Sequence, residues 1–468
     1  MHFFDYVIII LYLLALPVFG YFWKLKKDSS ASEIILGGRA LTLPAFVASL
    51  VSTWYGGILG VGEYTYLYGI SNWLVFGLPY YLAAFLFAFF LAKKARESEL
   101  LTIPERLKTF YGDRTGFAGS IVVFLMTLPA AYILMLGVLA EEMLGVPFHV
   151  GVICGAFFSV IYLFFGGFNS VVKTDIFQFF IMFIGFILLL AFLIYDHGGF
   201  NFLIENLPDK HLTWHGGNSG WYISIWYLIA LSTLVEPSFY QRCYAAKNVS
   251  TARKGIFVSI GFWMFFDFLT TTTGLYARIL LPDLQNPVAA YPELAQMVLP
   301  AGLLGLFVLS LLATIMSTVD SYTFLAGTTF GYDILPQISN SGKISVSKRI
   351  NIGILISVIG AILFALFFRS AIDIWHAFGS IGTPALLLPV LITFVRKKAL
   401  PQGYAFYSII ISGSISLVWY FSKYMTSDEQ YWFKTEPIFP GLLFSIAILG
   451  YYLIFRSEES CQDRKKSL

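Results

Sequence analysis

Apolar runs of about twenty residues recur along the whole chain, with polar positions gathered between them. A run of that length is what a helix needs to cross the hydrocarbon core of a bilayer. Thirteen spans are predicted, at roughly 4–23, 42–68, 71–92, 117–143, 147–165, 171–195, 219–241, 252–277, 300–331, 347–368, 371–395, 402–421 and 437–455. Two of them are flawed as helices. The span 42–68 carries SLVSTWYGGILGVGE, with Gly56-Gly57 at its middle, and each mid-helix glycine costs about 1 kcal/mol relative to alanine. The span 219–241 carries LSTLVEPSFYQR. There Pro237 cannot donate to the carbonyl of Thr233, and Glu236 puts a charge beside the break. The flaws lie five spans apart, so the two broken helices run in opposite directions. That is the pattern of an inverted repeat of five plus five spans, with solute and ions bound near the midplane at the two breaks. The repeats are predicted at 42–195 and 219–395 within one transmembrane domain covering 1–468, with the extra helix 4–23 before them and two more within 402–455.

One span is polar along a stripe. In LLATIMSTVDS, Thr314, Ser317, Thr318 and Ser321 share a helical face at spacings i, i+3, i+4 and i+7, and Asp320 flanks them. Hydroxyls in membrane helices commonly serve as interhelical hydrogen-bonding groups. A carboxylate among them asks for more, and a dehydrated cation would supply it.

Composition agrees with a polytopic membrane protein. The chain is 58% hydrophobic and 12% charged, with mean hydropathy +0.76, and carries 47 Phe, 28 Tyr and 10 Trp. Its 30 Lys and Arg residues sort by side. Lys24, Lys26, Lys27, Arg39, the basic loop 93–116, Lys173, Arg242, Lys247, Arg253, Lys254, Lys343, Lys348, Arg349, Arg396–Lys398 and the tail fall on one side. Only Lys210, Arg278, Arg369, Lys423 and Lys434 fall on the other. The positive-inside rule then places the N-terminus outside and the C-terminus in the cytoplasm of a multi-pass plasma membrane protein, of the kind found in a bacterial inner membrane. The first span lacks a basic start and is read as uncleaved. Cys154, Cys243 and Cys461 are too few for a disulfide framework and are expected to be free thiols. Nothing suggests nucleic-acid binding.

Four stretches resemble the sodium/solute symporter family: GGRALTLPAFVASLVSTWYGG, GGFNSVVKTDIFQ, TGLYARILLPD and, most specifically, LPAGLLGLFVLSLLATIMSTVDS. The resemblance covers about residues 37–335 and implies a LeuT-like core. It also implies a principal sodium site between the first broken helix and the polar stripe. The ligands would be backbone carbonyls of Ser52, Tyr55 and Thr314 and hydroxyls of Ser317 and Thr318. The chemistry agrees, because sodium prefers oxygen ligands and a broken helix frees carbonyls. A second sodium site in some relatives corresponds to Asp175, Ser317, Asp320 and Ser321. Trp54 stands where some relatives have an Asp.

Solute candidates are Trp54, Gly56, Gly57, Glu236 and Phe239, around the two breaks. Glu236 has an alternative role as cap of the half-helix that follows it. Glu63 and Asp267 are also predicted inside spans. No Lys or Arg is predicted deep in a span, which favours neutral, zwitterionic or cationic solutes. Enzymatic readings fail. His211 and His215 lack a third metal ligand, and Gly57, Gly60 and Gly62 follow no strand. Asn248-Val249-Ser250 fits a glycosylation acceptor but falls on the cytoplasmic side. Thr102–Glu105 reads as a helix start, and the segment 282–300 as a short surface helix. The expected function is sodium-coupled symport of a small organic solute by alternating access, with the protein acting as a monomer. The alternatives are a proton-coupled transporter on the same fold, a membrane sensor built on the transporter module, and a channel.

Overall fold

A computed structural model describes residues 1–22, 24–26, 28–339, 344–368, 370–395, 402–426 and 430–455. Among them the chain is helical, with a single isolated β-bridge. Eleven helices are long and apolar enough to cross a membrane, and the shorter Phe148–Val160 and Ile438–Ile454 are also apolar. Each predicted span overlaps one of these thirteen. Nine helices carry the argument below: α1 (Phe3–Phe22), α2 (Leu43–Trp54), α3 (Ile58–Tyr68), α4 (Leu163–His197), α5 (Gly220–Ile229), α6 (Pro237–Ala245), α7 (Val249–Leu280), α8 (Leu303–Thr328) and α9 (Ala371–Val395).

Both predicted breaks are present. Tyr55–Gly57 forms a single tight turn between α2 and α3. A six-residue 3₁₀ helix, Ala230–Val235, follows α5, and Glu236 is extended (φ −69°, ψ 116°) before Pro237 opens α6. Proline suits that first position because its missing N–H has no helical acceptor there. The broken helices are antiparallel, since the segment entering α2 meets the segment leaving α6. Leu41 N–H donates to the Ala245 carbonyl (3.0 Å) and Lys247 N–H to the Leu41 carbonyl (2.9 Å). Arg39 adds bonds to the carbonyls of Glu99 and Tyr244, and Arg96 Nε reaches the Ala246 carbonyl at 2.6 Å. The rich supply of cations makes this the basic end of the bundle.

The most buried spanning helix is the one that begins with α8. α4 packs along it, where Gly185 lies against Ser310 so closely that a Cβ would meet the hydroxyl at 2.1 Å. Small residues let membrane helices approach in this way. At the N-terminus of α8, Asp5 of α1 accepts from the amides of Gly302 (2.7 Å) and Gly305 (2.8 Å), capping the helix from outside the repeats.

Several local expectations change. The span 117–143 is interrupted at Thr127–Pro129, between helices ending at Met126 and beginning at Ala130. The spans 147–165 and 171–195 are divided by Gly167, whose φ of +56° only glycine tolerates easily. Ala290–Val298 is a helix, but it does not lie on the surface: Tyr291 is fully buried, packs against Gly62 and donates to the Thr270 carbonyl (2.8 Å). Asn248 caps α7 by accepting from Thr251 N–H (2.8 Å). Thr102 accepts from Glu105 N–H (3.1 Å) at the start of Ile103–Tyr111, as predicted. Cys154 and Cys243 are free thiols, and Cys461 lies outside the described residues.

Candidate functional site

The polar stripe of α8 faces the first break. Ser317 hydroxyl donates to the Ser52 carbonyl (2.8 Å) and to the Thr314 carbonyl (2.9 Å), and Thr318 hydroxyl donates to the Thr53 carbonyl (2.7 Å). Thr314 turns its own hydroxyl back onto Ser310, leaving its carbonyl to the site. Ser52, Thr314, Ser317 and Thr318 are therefore together, all fully buried. Thr318 reaches the carbonyl of Thr53, which is not among the expected ligands, and the Tyr55 amide turns back to the Ser52 carbonyl. The ring of Tyr55 points elsewhere, its hydroxyl donating to the Trp263 carbonyl (3.0 Å).

This approach depends on Gly56. A Cβ there would meet Thr318 Oγ1 at 2.2 Å. Gly56→Ala is expected to push α8 off the break and to destabilise the fold by about 1–3 kcal/mol, the usual cost of overpacking. Thermal unfolding of the detergent-solubilised protein checks this, and a variant as stable as wild type would contradict it.

Behind this contact lies a charged cluster that differs from expectation. Arg242, placed by its position in the sequence in a cytoplasmic loop, is fully buried on α6. Its guanidinium donates to Ser49 Oγ (3.1 Å), Thr53 Oγ1 (2.9 Å) and Ser321 Oγ (2.8 Å), and pairs with Asp175 Oδ2 at 3.4 Å. Ser49 hydroxyl also donates to Asp175 Oδ2 (2.5 Å). Asp320 Oδ2 accepts from Tyr162 and from Thr174 (3.3 Å). A buried charge must be paired and hydrogen-bonded, which Arg242 achieves against Asp175 and three hydroxyls. The expectation of no deep Lys or Arg is thus corrected. Ser321 is committed to Arg242. What stays without a hydrogen-bond partner is Asp175 Oδ1 and Asp320 Oδ1, both buried.

On the other side of the break a cavity of about 190 Å³ opens between α3, α5 and α9. Trp54, Gly57, Tyr80, Tyr132, Glu236, Asp267, Tyr322 and Trp375 are among its walls. Gly57 is required there, since a Cβ would meet the Trp375 ring at 2.3 Å. Glu236 is placed where both of its expected roles are open to it. It accepts from Ser238 N–H (3.3 Å) as the cap of α6, and it also faces the cavity. Asp267 is a wall residue as well, accepting from the Tyr81 hydroxyl. The sequence offered Asp267 only as one of two acidic residues in spans. Tyr81 and Trp375 gave no signal in so aromatic a chain. Phe239 and Gly56 are absent from the walls. Phe239 is fully buried behind Trp54 (ring centroids 5.4 Å), because Pro237 turns α6 away from the cavity, and Gly56 faces α8.

Each loop histidine is engaged with the backbone. Burial lowers the pKa of His211, whose Nε2 lies 3.0 Å from the Tyr66 carbonyl, and His215 Nδ1 accepts from Gly217 N–H (2.9 Å). Among the described residues no cluster of His, Cys, Asp and Glu could hold a metal ion.

Residues 34–412 match the family model described as the sodium:solute symporter family. The sodium/proline symporter 2 of Staphylococcus saprophyticus is 25% identical over 96% of this chain and 92% of that protein. Among solved structures, a Na+-coupled sialic acid symporter in a substrate-bound outward-open state superposes with a TM-score of 0.80 at 16% identity, covering 97% of this chain and 98% of that one. Mhp1, a nucleobase-cation-symport-1 family transporter, gives 0.55 at 11% identity over 91% and 96% of the two chains.

Proposed function

The chain belongs to the sodium:solute symporter family, a family of transporters and not of enzymes with a multi-pass plasma membrane location, and from that premise we propose that it couples inward movement of sodium to uptake of a small organic solute. The fold is the LeuT-like one. The observation that carries the reading is the meeting of Ser317 and Thr318 with the carbonyls of Ser52 and Thr53 at the first break. Sodium would take these oxygens together with the carbonyls of Thr314 and Tyr55, replacing its hydration shell with a ring of hard donors.

The repeats 42–195 and 219–395 would rock against each other about this site. With the basic end cytoplasmic, the cavity walls on α3, α5 and α9 are outer halves, so the solute site faces outward. The bridge of Leu41 to Ala245–Lys247, with Arg39 and Arg96, closes the inner side. Sodium would replace the direct bonds of Ser317 and Thr318 to the break and hold α8 there while the cavity fills. Solute closes the outer gate, the inner bridge parts, and both leave. Each sodium gains about 2.3 kcal/mol per 100 mV of potential. One chain holds every part, so a monomer suffices. A cavity of about 190 Å³ admits a solute the size of an amino acid or an amine, in line with relatives named for proline.

The test is uptake into proteoliposomes under a sodium gradient, with transport expected only when sodium is outside. A second reading, in which another sodium or a proton binds in the Asp175–Asp320 cluster, is favoured by the two unpartnered Oδ1 atoms. Uptake driven by a pH gradient without sodium would establish the proton version. A Hill coefficient for sodium near one would argue against a second sodium.

A further inference from the structure

Resting on the symport reading above, we propose that the solute is an organic cation without a carboxylate, and that Asp267 is the residue that binds its positive nitrogen. The central cavity has two carboxylates in its walls, Glu236 and Asp267, and no Lys, Arg or His. Both are almost fully buried, with 9% and 4% exposure. An unpaired carboxylate in a low-dielectric site is costly, and it is relieved either by taking up a proton or by meeting a positive charge; a solute cation supplies the second.

For Glu236 part of that charge is already present. It caps α6 through the Ser238 amide, where the positive end of the helix dipole lies. Asp267 has no such support. It sits in the body of α7, and the group the chain gives its Oδ2 is the Tyr81 hydroxyl, which is neutral. The cation of the protein core, Arg242, is turned the other way onto Asp175 and Ser321 and is no part of the cavity wall. A sodium held by Ser317 and Thr318 with the carbonyls of Ser52 and Thr53 would lie between α2 and α8, on the other side of the break from the cavity.

The same geometry disfavours a zwitterion. Its carboxylate would seek a guanidinium, an ammonium or a free helix N-terminus. The walls hold neither of the first two. The N-terminus of α6 is taken, because Pro237 has no N–H and the Ser238 N–H is bonded to Glu236. The rest of the lining suits a cation. Trp54, Trp375 and Tyr132 present ring surfaces, and aromatic faces attract ammonium groups, most strongly when both are desolvated.

The experiment uses the purified full chain in detergent with sodium, and separately in potassium. The probes are choline and putrescine as cations, proline and glycine betaine as zwitterions, and glucose as a neutral solute. Thermal stabilisation and radioligand binding are read, followed by uptake in proteoliposomes. Sodium alone is expected to stabilise the protein, which tests the symport reading independently of the solute. Choline or putrescine should add stabilisation and be taken up, and the zwitterions should not. Asp267→Asn should weaken cation binding by about tenfold or more, the size of a lost charge-assisted hydrogen bond, with sodium stabilisation kept. Because the wild-type panel decides the solute class by itself, failure of the variant to fold leaves that decision intact. Binding of proline or glucose in preference to both cations overturns the proposal, as does an absence of cation binding alongside intact sodium stabilisation. Unchanged cation affinity in a folded Asp267→Asn protein overturns the assignment of Asp267.

Discussion

Arg242→Met is expected to remove most folded protein, and Arg242→Met with Asp175→Asn to recover part of it. The guanidinium is fully buried and holds four side chains from three helices, Ser49 and Thr53 on α2, Asp175 on α4 and Ser321 on α8. Removing one partner of a buried ion pair leaves the other charged and dry, at a cost of about 3–5 kcal/mol. In Arg242→Met, both Asp175 and Asp320 lose their counter-charge in one step. The double variant removes one of the two stranded carboxylates, so the loss should be smaller than in the single one. Size-exclusion yield and thermal unfolding of the detergent-solubilised protein measure this. A single variant as stable as wild type would mean that Arg242 is not the cluster's counter-ion. The coupling between the two substitutions isolates their pairwise energy.

Ser317→Ala and Thr318→Ala are expected to behave differently. Each removes one hydroxyl that bonds a carbonyl of α2 (2.8 and 2.7 Å), a loss of about 1 kcal/mol in stability. Sodium would lose a ligand and not merely a hydrogen bond. An interaction with a charged group of about 1.5–3 kcal/mol corresponds to a rise of about tenfold or more in the sodium concentration for half-maximal uptake. Protein yield and the melting temperature without sodium should change little, and maximal uptake at saturating sodium should survive in at least one variant. Uptake measured against sodium separates these outcomes. If neither variant shifts the sodium curve, the ion lies elsewhere.

Much of this site could be read along the chain. The glycine pair at 56–57 and the Glu236-Pro237 pair located both breaks, because each is a local backbone defect inside an apolar run. The spacing of Thr314, Ser317 and Thr318 gave one face of α8, because helical periodicity is local too. Asp175, Asp320 and Ser321 were expected together and lie in one cluster, held there by the residue that the sequence placed wrongly.

Arg242 shows where such reading stops. Hydropathy places charges at the ends of spans, and it ends the span 219–241 one residue short of Arg242, although the half-helix α6 continues to Ala245. Its depth is decided by Pro237, which starts the helix, and by the bridge at Leu41, which holds its far end. Its tolerance of burial is decided by Asp175, 67 residues away in sequence. Phe239 fails for a related reason: it follows the break by three residues, yet the turn at Pro237 carries it behind Trp54.

By itself, then, the sequence determined what depends on neighbours along the chain: the apolar spans, the two breaks, the polar face of α8 and the basic end of the bundle. The tertiary structure alone decided which distant charges meet. It put Arg242 between Asp175 and Ser321, gave Asp267 to the cavity, and took Gly56 and Phe239 away from it. The physical reason is that a charge in a membrane protein is stable only where the fold brings its partner. No periodicity within a span records what stands opposite.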